Sequence, residues 1–375
     1  MINWNITTPR KLISGRGGIS FLPKLLKELN IKMPFTIIDP KVKKTNFGKR
    51  LPDICENSFD GFGTNPTFSQ VNDGILFFRK GKYDSIIAVG GGSAIDLAKV
   101  VGLTAANGGI AEDYFQSKKA EVQPVPIVAI PTTCGTGAES SPFAVIMNPD
   151  VPKKRGIESS FLMPTAVILD SESLVSLERV MIAATGMDAL THILESHISK
   201  KATAMTRIVS KGLLCSVRES LEKAVWDKDI SALETLQSIA FTARLLYPRT
   251  GLSIAHALSH PLGAFTGMHH GLAVVMFLEA SMKFNLPSCM DSFQEAERVM
   301  GFSYSGELLS WTRSIIEKSG IMTEISNHLA PFRNLPIERI ASEALQSSNI
   351  PSNPREIGLA ETCEIINESL TEFGR

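Results

Sequence analysis

The amino-acid sequence predicts an α/β domain built on a doubly wound parallel sheet, followed by an all-α domain. Three observations carry that reading. Short apolar runs alternate with helical stretches through the first half. Beta-like alternation nearly disappears after about Ser171. The 375 residues are enough for two domains, each with its own core. The change of texture falls between residues 171 and 185, which gives expected domains 1–178 and 179–375.

In chain order, Ile19–Leu29 carries a helical pattern, and Phe35–Ile38 is a strand that runs into the turn Asp39-Pro40. Ser85–Val89 is a second strand, stopped by Gly90-Gly91-Gly92, and Ser93–Ala106 returns to helical spacing. Ile127–Ile130 is ended by Pro131, and Val167–Leu169 is closed by Asp170. Such continuous apolar runs suit strands buried on both faces, the environment of a parallel sheet between helices. The second half reads as helices at Ser176–Ala184, Met187–Ser199, Ala204–Val225, Ile230–Leu246, Ser253–Ser259 and Leu272–Phe284. Asn349–Ile357 reads as a surface loop, because Pro351 and Pro354 interrupt any helix.

Charge and composition narrow the function classes. Thirty-eight basic residues balance 38 acidic ones, so no clustered positive charge invites nucleic acid or an anionic membrane. Apolar stretches such as Ala273–Leu278 are far shorter than the roughly 18 residues of a membrane span. The opening MINWNITTPRKLISG lacks a basic segment followed by an apolar run, so no secretory signal is expected. Five cysteines (Cys55, Cys134, Cys215, Cys289 and Cys363) form no CxxC pair, which fits reduced thiols and a cytoplasmic location.

Two constellations carry chemistry. In DSIIAVGGGSAIDLAK, three glycines join a buried strand to a helix starting near Ser93. Glycine allows close approach to the backbone, and the helix N-terminus offers unpaired N–H groups and partial positive charge, a combination suited to pyrophosphate. The usual GxGxxG fingerprint is absent, and a GGG turn without a ligand is an equally good explanation of this segment alone. A second turn, Pro131-Thr132-Thr133-Cys134-Gly135-Thr136-Gly137-Ala138-Glu139, again follows a strand. Asp39, at the end of an early strand, is placed to accept hydrogen bonds from a ribose diol. Together the three features suggest an extended dinucleotide.

The other constellation is ionic. Asp188 and His192 are four residues apart and share a helix face, with Thr185 as the expected N-cap. His256 and His260 are also four apart, and His269-His270 follow a glycine-containing loop. One carboxylate with three imidazoles suits Fe²⁺, Zn²⁺, Ni²⁺ or Mn²⁺, whereas calcium and magnesium prefer oxygen. His197 faces away from this set if the helix continues, and His328 stands alone.

The segments GGGSAIDLAK, PTTCGTGAES, GMDALTHILES and HALSHPLGAFTGMHHG, with an early GTNPT, resemble the iron-containing (group III) alcohol dehydrogenase family over nearly the whole chain. The resemblance implies an N-terminal dinucleotide-binding domain and an all-helical metal domain. It implies Asp188, His192, His256 and His270 as metal ligands, with Fe²⁺ the leading metal, and His260 as the additional active-site histidine. Asp39 matches the position near the adenosine ribose where an acidic residue favours NAD over NADP. Asn65, Gly91, Gly92, Ser93, Thr132, Thr133, Thr136 and Lys154 match cofactor-contacting positions. A homo-oligomer, dimer or larger, is also implied. The chain departs from the pattern at Cys134, where another small residue is common, and at Arg249 in Tyr247-Pro248-Arg249-Thr250-Gly251, where many relatives have Ser-Asn.

The expected activity is therefore an NAD-dependent, metal-dependent alcohol dehydrogenase or aldehyde reductase. Its metal would polarise a carbonyl, and reduced nicotinamide would deliver hydride. Arg249, a rigid and permanently charged fork, raises the reading of a small aldehyde with an anionic head, such as phosphonoacetaldehyde or sulfoacetaldehyde; Arg244 is a second candidate. Plain primary-alcohol oxidation is the alternative within the class. A dehydroquinate synthase-like lyase is the alternative outside it, and its metal set resembles Glu/His/His rather than Asp with three histidines.

Overall fold

The computed structural model describes residues 6–51, 58–116, 118–148 and 153–374, with backbone alone at 153–155. Cys55 lies outside the described residues. The chain divides into two compact units, Ile6–Ser176 and the part from Leu177 onward.

The first unit is built on a parallel sheet of six strands. These are β1 (Lys11–Ser14), β2 (Pro34–Ile38), β3 (Ser58–Phe59), β4 (Ser85–Gly90), β5 (Ile127–Pro131) and β8 (Ala166–Leu169), in the order β1-β8-β5-β4-β2-β3. Every residue of β4 and β5 is buried, which is why these segments are apolar without alternation. Helices α1 (Leu22–Glu28), α2 (Pro40–Lys43), α3 (Asn46–Lys49), α4 (Phe68–Lys80), α5 (Gly92–Asn107) and α6 (Ala111–Gln116) connect the strands. Leu22, Leu25 and Leu26 of α1 share a core cluster with Ile38, Ile87, Val89, Val128, Ile130 and Ile168 of the sheet. Among the strands, four escape the sequence reading: the edge strands β1 and β3, and β6 (Phe143–Asn148) and β7 (Lys153–Glu158), which pair as an antiparallel hairpin. Edge strands are half-exposed, and β1 reads KLIS, so neither shows a continuous apolar run.

The turn after β5 is held by a fully buried lysine. Lys99, on α5, donates to the carbonyls of Ala138 (2.7 Å), Ser141 (2.8 Å) and Phe143 (2.6 Å), with Asp96 Oδ1 at 3.7 Å. An ammonium group without water is tolerable only when its donors are satisfied in this way. Lys99→Met leaves those carbonyls facing an apolar side chain. The expected cost is roughly 3 kcal/mol, read as a lower urea midpoint, with faster proteolysis confined to the segment between Cys134 and Phe143.

The second unit is helical among its described residues. It comprises α7 (Arg179–Ile198), α8 (Ala204–Asp227), α9 (Ile230–Thr250), α10 (Ile254–Thr266), α11 (His270–Asn285), α12 (Met290–Val299), α13 (Glu307–Ser319), α14 (Ile321–Leu329), α15 (Ile337–Leu345) and α16 (Leu359–Glu372). Helix α7 is the hub, buried at every position from Ile182 to Ile198 and packed against α8, α9 and α11. Its burial explains one correction. The expected break between Ala184 and Met187 is absent, and Thr185 is not an N-cap: it sits mid-helix with its hydroxyl donating to Met181 O at 2.8 Å. Glycine at 186 instead leaves room for a neighbour, since a Cβ there would lie 2.4 Å from Leu221 Cδ1 and that side chain would have to shift.

A second correction concerns Asn349–Ile357. Asn349, Ser352 and Asn353 are buried rather than solvated. Asn353 and Asn285 exchange amide hydrogen bonds, both at 2.9 Å, and Ser253 Oγ donates to Asn353 Oδ1. The prolines do exclude a long helix, but side-chain amides anchor the segment to α11 and to the start of α10.

Candidate functional site

In the first unit, the sheet order reverses direction between β2 and β4: β3 lies on one side of β2 and β4 on the other. Ligands of open α/β sheets bind outside the carboxyl ends of the strands at such a switch point. Asp39 follows β2 there, and Gly90-Gly91-Gly92 follow β4. Asp39 Oδ1 accepts the Lys41 N–H at 2.7 Å and caps α2, so the residue also performs the turn role. Gly90 has φ +153°, and a Cβ on it would meet Ala94 Cβ at 2.6 Å and Asp39 Cβ at 3.0 Å. No side chain caps the N-terminus of α5, which begins in this turn.

The second turn packs directly onto the first. A Cβ at Gly91 would stand 3.0 Å from Thr133 Cγ2, and one at Gly92 would stand 3.0 Å from Thr136 Oγ1. Thr132 N–H donates to Gly90 O at 3.1 Å. Asn65 adopts φ 57°, and its N–H donates to Ser93 Oγ at 3.3 Å. The structure thus brings Asp39, Asn65, Gly91, Gly92, Ser93, Thr132, Thr133 and Thr136 to one end of the sheet. The small residues and open helix N-terminus form a cradle that fits a pyrophosphate. Lys154 falls on β7, paired with Met147, and its side chain lies outside the described residues.

In the second unit, three helices converge their polar groups. Asp188 and His192 come from α7, His256 and His260 from α10, and His270 from the first residue of α11. Ligand atoms of Asp188, His256 and His270 lie within 4.8 Å of one another. His256 Nε2 is 3.3 Å and His270 Nε2 3.9 Å from Asp188 Oδ1. The His192 ring is 4.3 Å from the His256 ring, centre to centre, and the His260 ring is 5.4 Å from that of His270.

Hydrogen bonds fix two of these rings. His192 Nδ1 lies 2.9 Å from the Asp188 carbonyl, which can only accept, so the proton sits on Nδ1 and Nε2 keeps its lone pair. His256 Nδ1 donates in the same way to the Glu195 carboxylate at 2.6 Å. Both carboxylate oxygens of Asp188, and His256 Nε2, are buried without a hydrogen-bond partner. Buried polar groups left open in this way need a partner of another kind. A carboxylate and imidazole nitrogens meeting in a largely buried centre, with His270 at its open side, fit a divalent transition metal.

Electrostatics agree with that fit. Burial pushes the Asp188 carboxyl up, but the charges of His192 and His270, with His256, outweigh it and hold the group well below the usual carboxylate range. Burial, and then the charge on His256, lower His192 to about 3. Burial would also lower His256, yet Glu195 and Asp188 on its two sides raise it to about 9.

The remaining candidates lie elsewhere. His197 points away from the cluster, with Nδ1 2.9 Å from Ser210 Oγ and Nε2 3.3 Å from Glu295 Oε2. His269 caps α11 by accepting the Gly271 N–H. Arg244 and Arg249 are five residues apart on α9, about 140° around the helix, so their side chains leave it on different sides. The charge of Arg244 bears on His192 and helps to lower its pKa. Arg249 stands at the helix end, with Nε buried and lacking a hydrogen-bond partner. Sequence reasoning missed Glu195 and Lys99. Glu195 is three residues past His192 on the same helix face, the one signal that pointed to it.

Comparison with known proteins addresses the same two units. The family model described as iron-containing alcohol dehydrogenase matches residues 9–171, and that of the Fe-containing alcohol dehydrogenase family C-terminal domain matches residues 182–370. The chain is 29% identical to the NAD-dependent methanol dehydrogenase of Bacillus methanolicus over 98% of its own length and all of that protein. It is 30% identical to the 1,3-propanediol dehydrogenase of Klebsiella pneumoniae over 89% of this chain and 88% of that one. The crystal structure of a 1,3-propanediol oxidoreductase superposes with a TM-score of 0.86 at 27% identity, covering 98% of this chain and 99% of that one. With both halves matched and the predicted fold present, the chain belongs to the iron-containing alcohol dehydrogenase family.

Proposed function

We propose that this chain is an NAD-dependent, divalent-metal-dependent alcohol dehydrogenase or aldehyde reductase acting on a short aldehyde or primary alcohol. The observation that carries the reading is the buried cluster in which Asp188, His256 and His270 present ligand atoms within 4.8 Å of one another. Asp188, His192, His256 and His270 are its ligands in this proposal, and Fe²⁺ is the metal the family name favours. Asp39, Asn65, Gly91, Gly92, Ser93, Thr132, Thr133 and Thr136 hold the dinucleotide. When bound, the metal supplies Lewis acidity and the nicotinamide supplies hydride. The chain's own tasks are to orient substrate, exclude water and move one proton. His260, one turn beyond His256 on α10 and beside His270, is the proton-transfer group in this scheme.

The relatives named above act, by their names, on methanol and 1,3-propanediol, both uncharged. A second reading, an anionic head on the substrate, is supported by a relative named 4-hydroxybutyrate dehydrogenase, from Cupriavidus necator and 26% identical over 94% of this chain, and by the permanent charges of Arg244 and Arg249 on α9. Arg249 and Arg244 are the two candidates for the head-group contact, leaving α9 on different sides. The test is NADH oxidation by anaerobic, Fe²⁺-loaded protein, comparing propanal and acetaldehyde with sulfoacetaldehyde and phosphonoacetaldehyde. NADH consumption with the short aldehydes is expected. Tight NADH binding without oxidation of any of them would sink the redox reading. If Arg249→Ala or Arg244→Ala lowers kcat/KM for the anionic aldehydes about tenfold more than for propanal, the head-group contact stands; an equal loss in both variants removes it.

A further inference from the structure

We infer that Glu195 is a positioning residue that locks His256 with its Nδ1 protonated and its Nε2 lone pair aimed at the metal position. The inference rests on the ligand assignment just proposed and adds a residue to it. Asp188, His192 and Glu195 occur at i, i+4 and i+7, so they form one stripe along α7. The first two reach the cluster itself. The third, only 5% exposed, reaches across to α10.

Its carboxylate has no freedom to turn. Oε1 accepts the Ala255 N–H at 3.0 Å; Oε2 accepts the Ser253 N–H at 2.9 Å and the His256 Nδ1–H at 2.6 Å. Ser253, the residue at the start of α10, makes no capping bond with its own side chain. Glu195 takes over that duty from another helix, and the partial positive charge of the helix N-terminus stabilises its anion. One group therefore sets three things: where α10 begins, how the His256 ring is rotated and which nitrogen is free. Ser253 in turn is tied through Asn353 to Asn285, so the anchor is braced on its far side. A carboxylate behind a ligating imidazole also makes the imidazole a stronger donor, and removing such partners costs metal affinity roughly 10- to 100-fold.

The experiment titrates wild type, Glu195→Gln, Glu195→Ala and Asp188→Asn with Co²⁺, reading affinity by chelator competition and geometry by the visible spectrum. Glu195→Ala is expected to weaken Co²⁺ about 10- to 100-fold and to alter the spectrum. Glu195→Gln keeps the shape while losing the charge, and should fall between Glu195→Ala and wild type. Histidine ¹⁵N resonances of the wild-type Zn²⁺ protein report the tautomer directly, so a variant that fails to fold does not end the test. Wild-type affinity and spectrum in both Glu195 variants, or a His256 protonated at Nε2, overturns the role of Glu195. If Asp188→Asn binds Co²⁺ as wild type does, the ligand assignment itself is wrong, and that failure is separately visible.

Discussion

Asp188→Asn is expected to strip the protein of metal and to lower kcat/KM by at least about a thousandfold, the several kcal/mol that Lewis-acid stabilisation of a carbonyl contributes. The reason lies in where Asp188 stands. It is the fully buried acid of the cluster, and both of its oxygens lack hydrogen-bond partners. Three imidazoles, those of His192, His256 and His270, approach its Oδ1 to within 3.9 Å. An amide at this position keeps one weak acceptor and turns NH₂ hydrogens toward the cations it should attract. Metal content by atomic emission and activity after Fe²⁺ loading are the two readouts. Thermal unfolding with and without added metal separates loss of the ion from loss of the fold. Wild type should gain stability when metal is added, by mass action on the folded state, and the variant should not. Retention of a full equivalent of tightly held metal in Asp188→Asn would refute the assignment.

Gly92→Val is expected to raise the dissociation constant for NADH about tenfold or more, roughly 1.4 kcal/mol, with little change in metal content. Nothing in the backbone demands glycine at 92. The residue is the first of α5 and follows Gly91 in extended conformation. Space is tight instead: a Cβ would stand 3.0 Å from Thr136 Oγ1 and 3.2 Å from Thr136 Cγ2, and the larger valine displaces that side chain. The added side chain must push the second turn away from the first, and the eight residues gathered there lose their register. Thr136→Ala in the same background vacates that space and should recover part of the affinity, a non-additivity expected of residues in contact. Fluorescence titration of NADH checks both steps. Unchanged NADH affinity in the single variant would place the dinucleotide elsewhere.

The dinucleotide cradle of the first unit and the metal cluster of the second were legible in the sequence to different degrees. Strands buried on both faces leave an apolar run that ends abruptly, so β2, β4, β5 and β8 and the turns after them could be located. Half-exposed β1 and two-residue β3 leave no such mark. Asp188 and His192 announce themselves by helical spacing, yet the helix around them reads as two because Thr185 has the chemistry of an N-cap; only its bond back to Met181 O shows that the helix runs through. The partners of Glu195 and Lys99 are 58–61 and 39–44 residues away. A buried ion of that kind is indistinguishable in sequence from a solvated one, since what makes it special is the distant backbone it satisfies. Arg244 illustrates the same limit from the other side: spacing alone offered both it and Arg249, and helix geometry separates them.

The pairing of β1 with β8 has a consequence for how the chain acquires its shape. The first strand of the first unit lies beside the last, and the Ile19 N–H bonds to the Asp170 carboxylate 151 residues later. On a ribosome, the sheet's edge at β1 stays open until that late segment has emerged. Parallel pairing over such a separation is slow because the loop must close before any contact rewards it. During that interval Leu12, which remains half-exposed even in the finished fold, lies on an unpaired edge. Yield at higher temperature should therefore depend on chaperone capacity during synthesis more than on the stability of the completed enzyme.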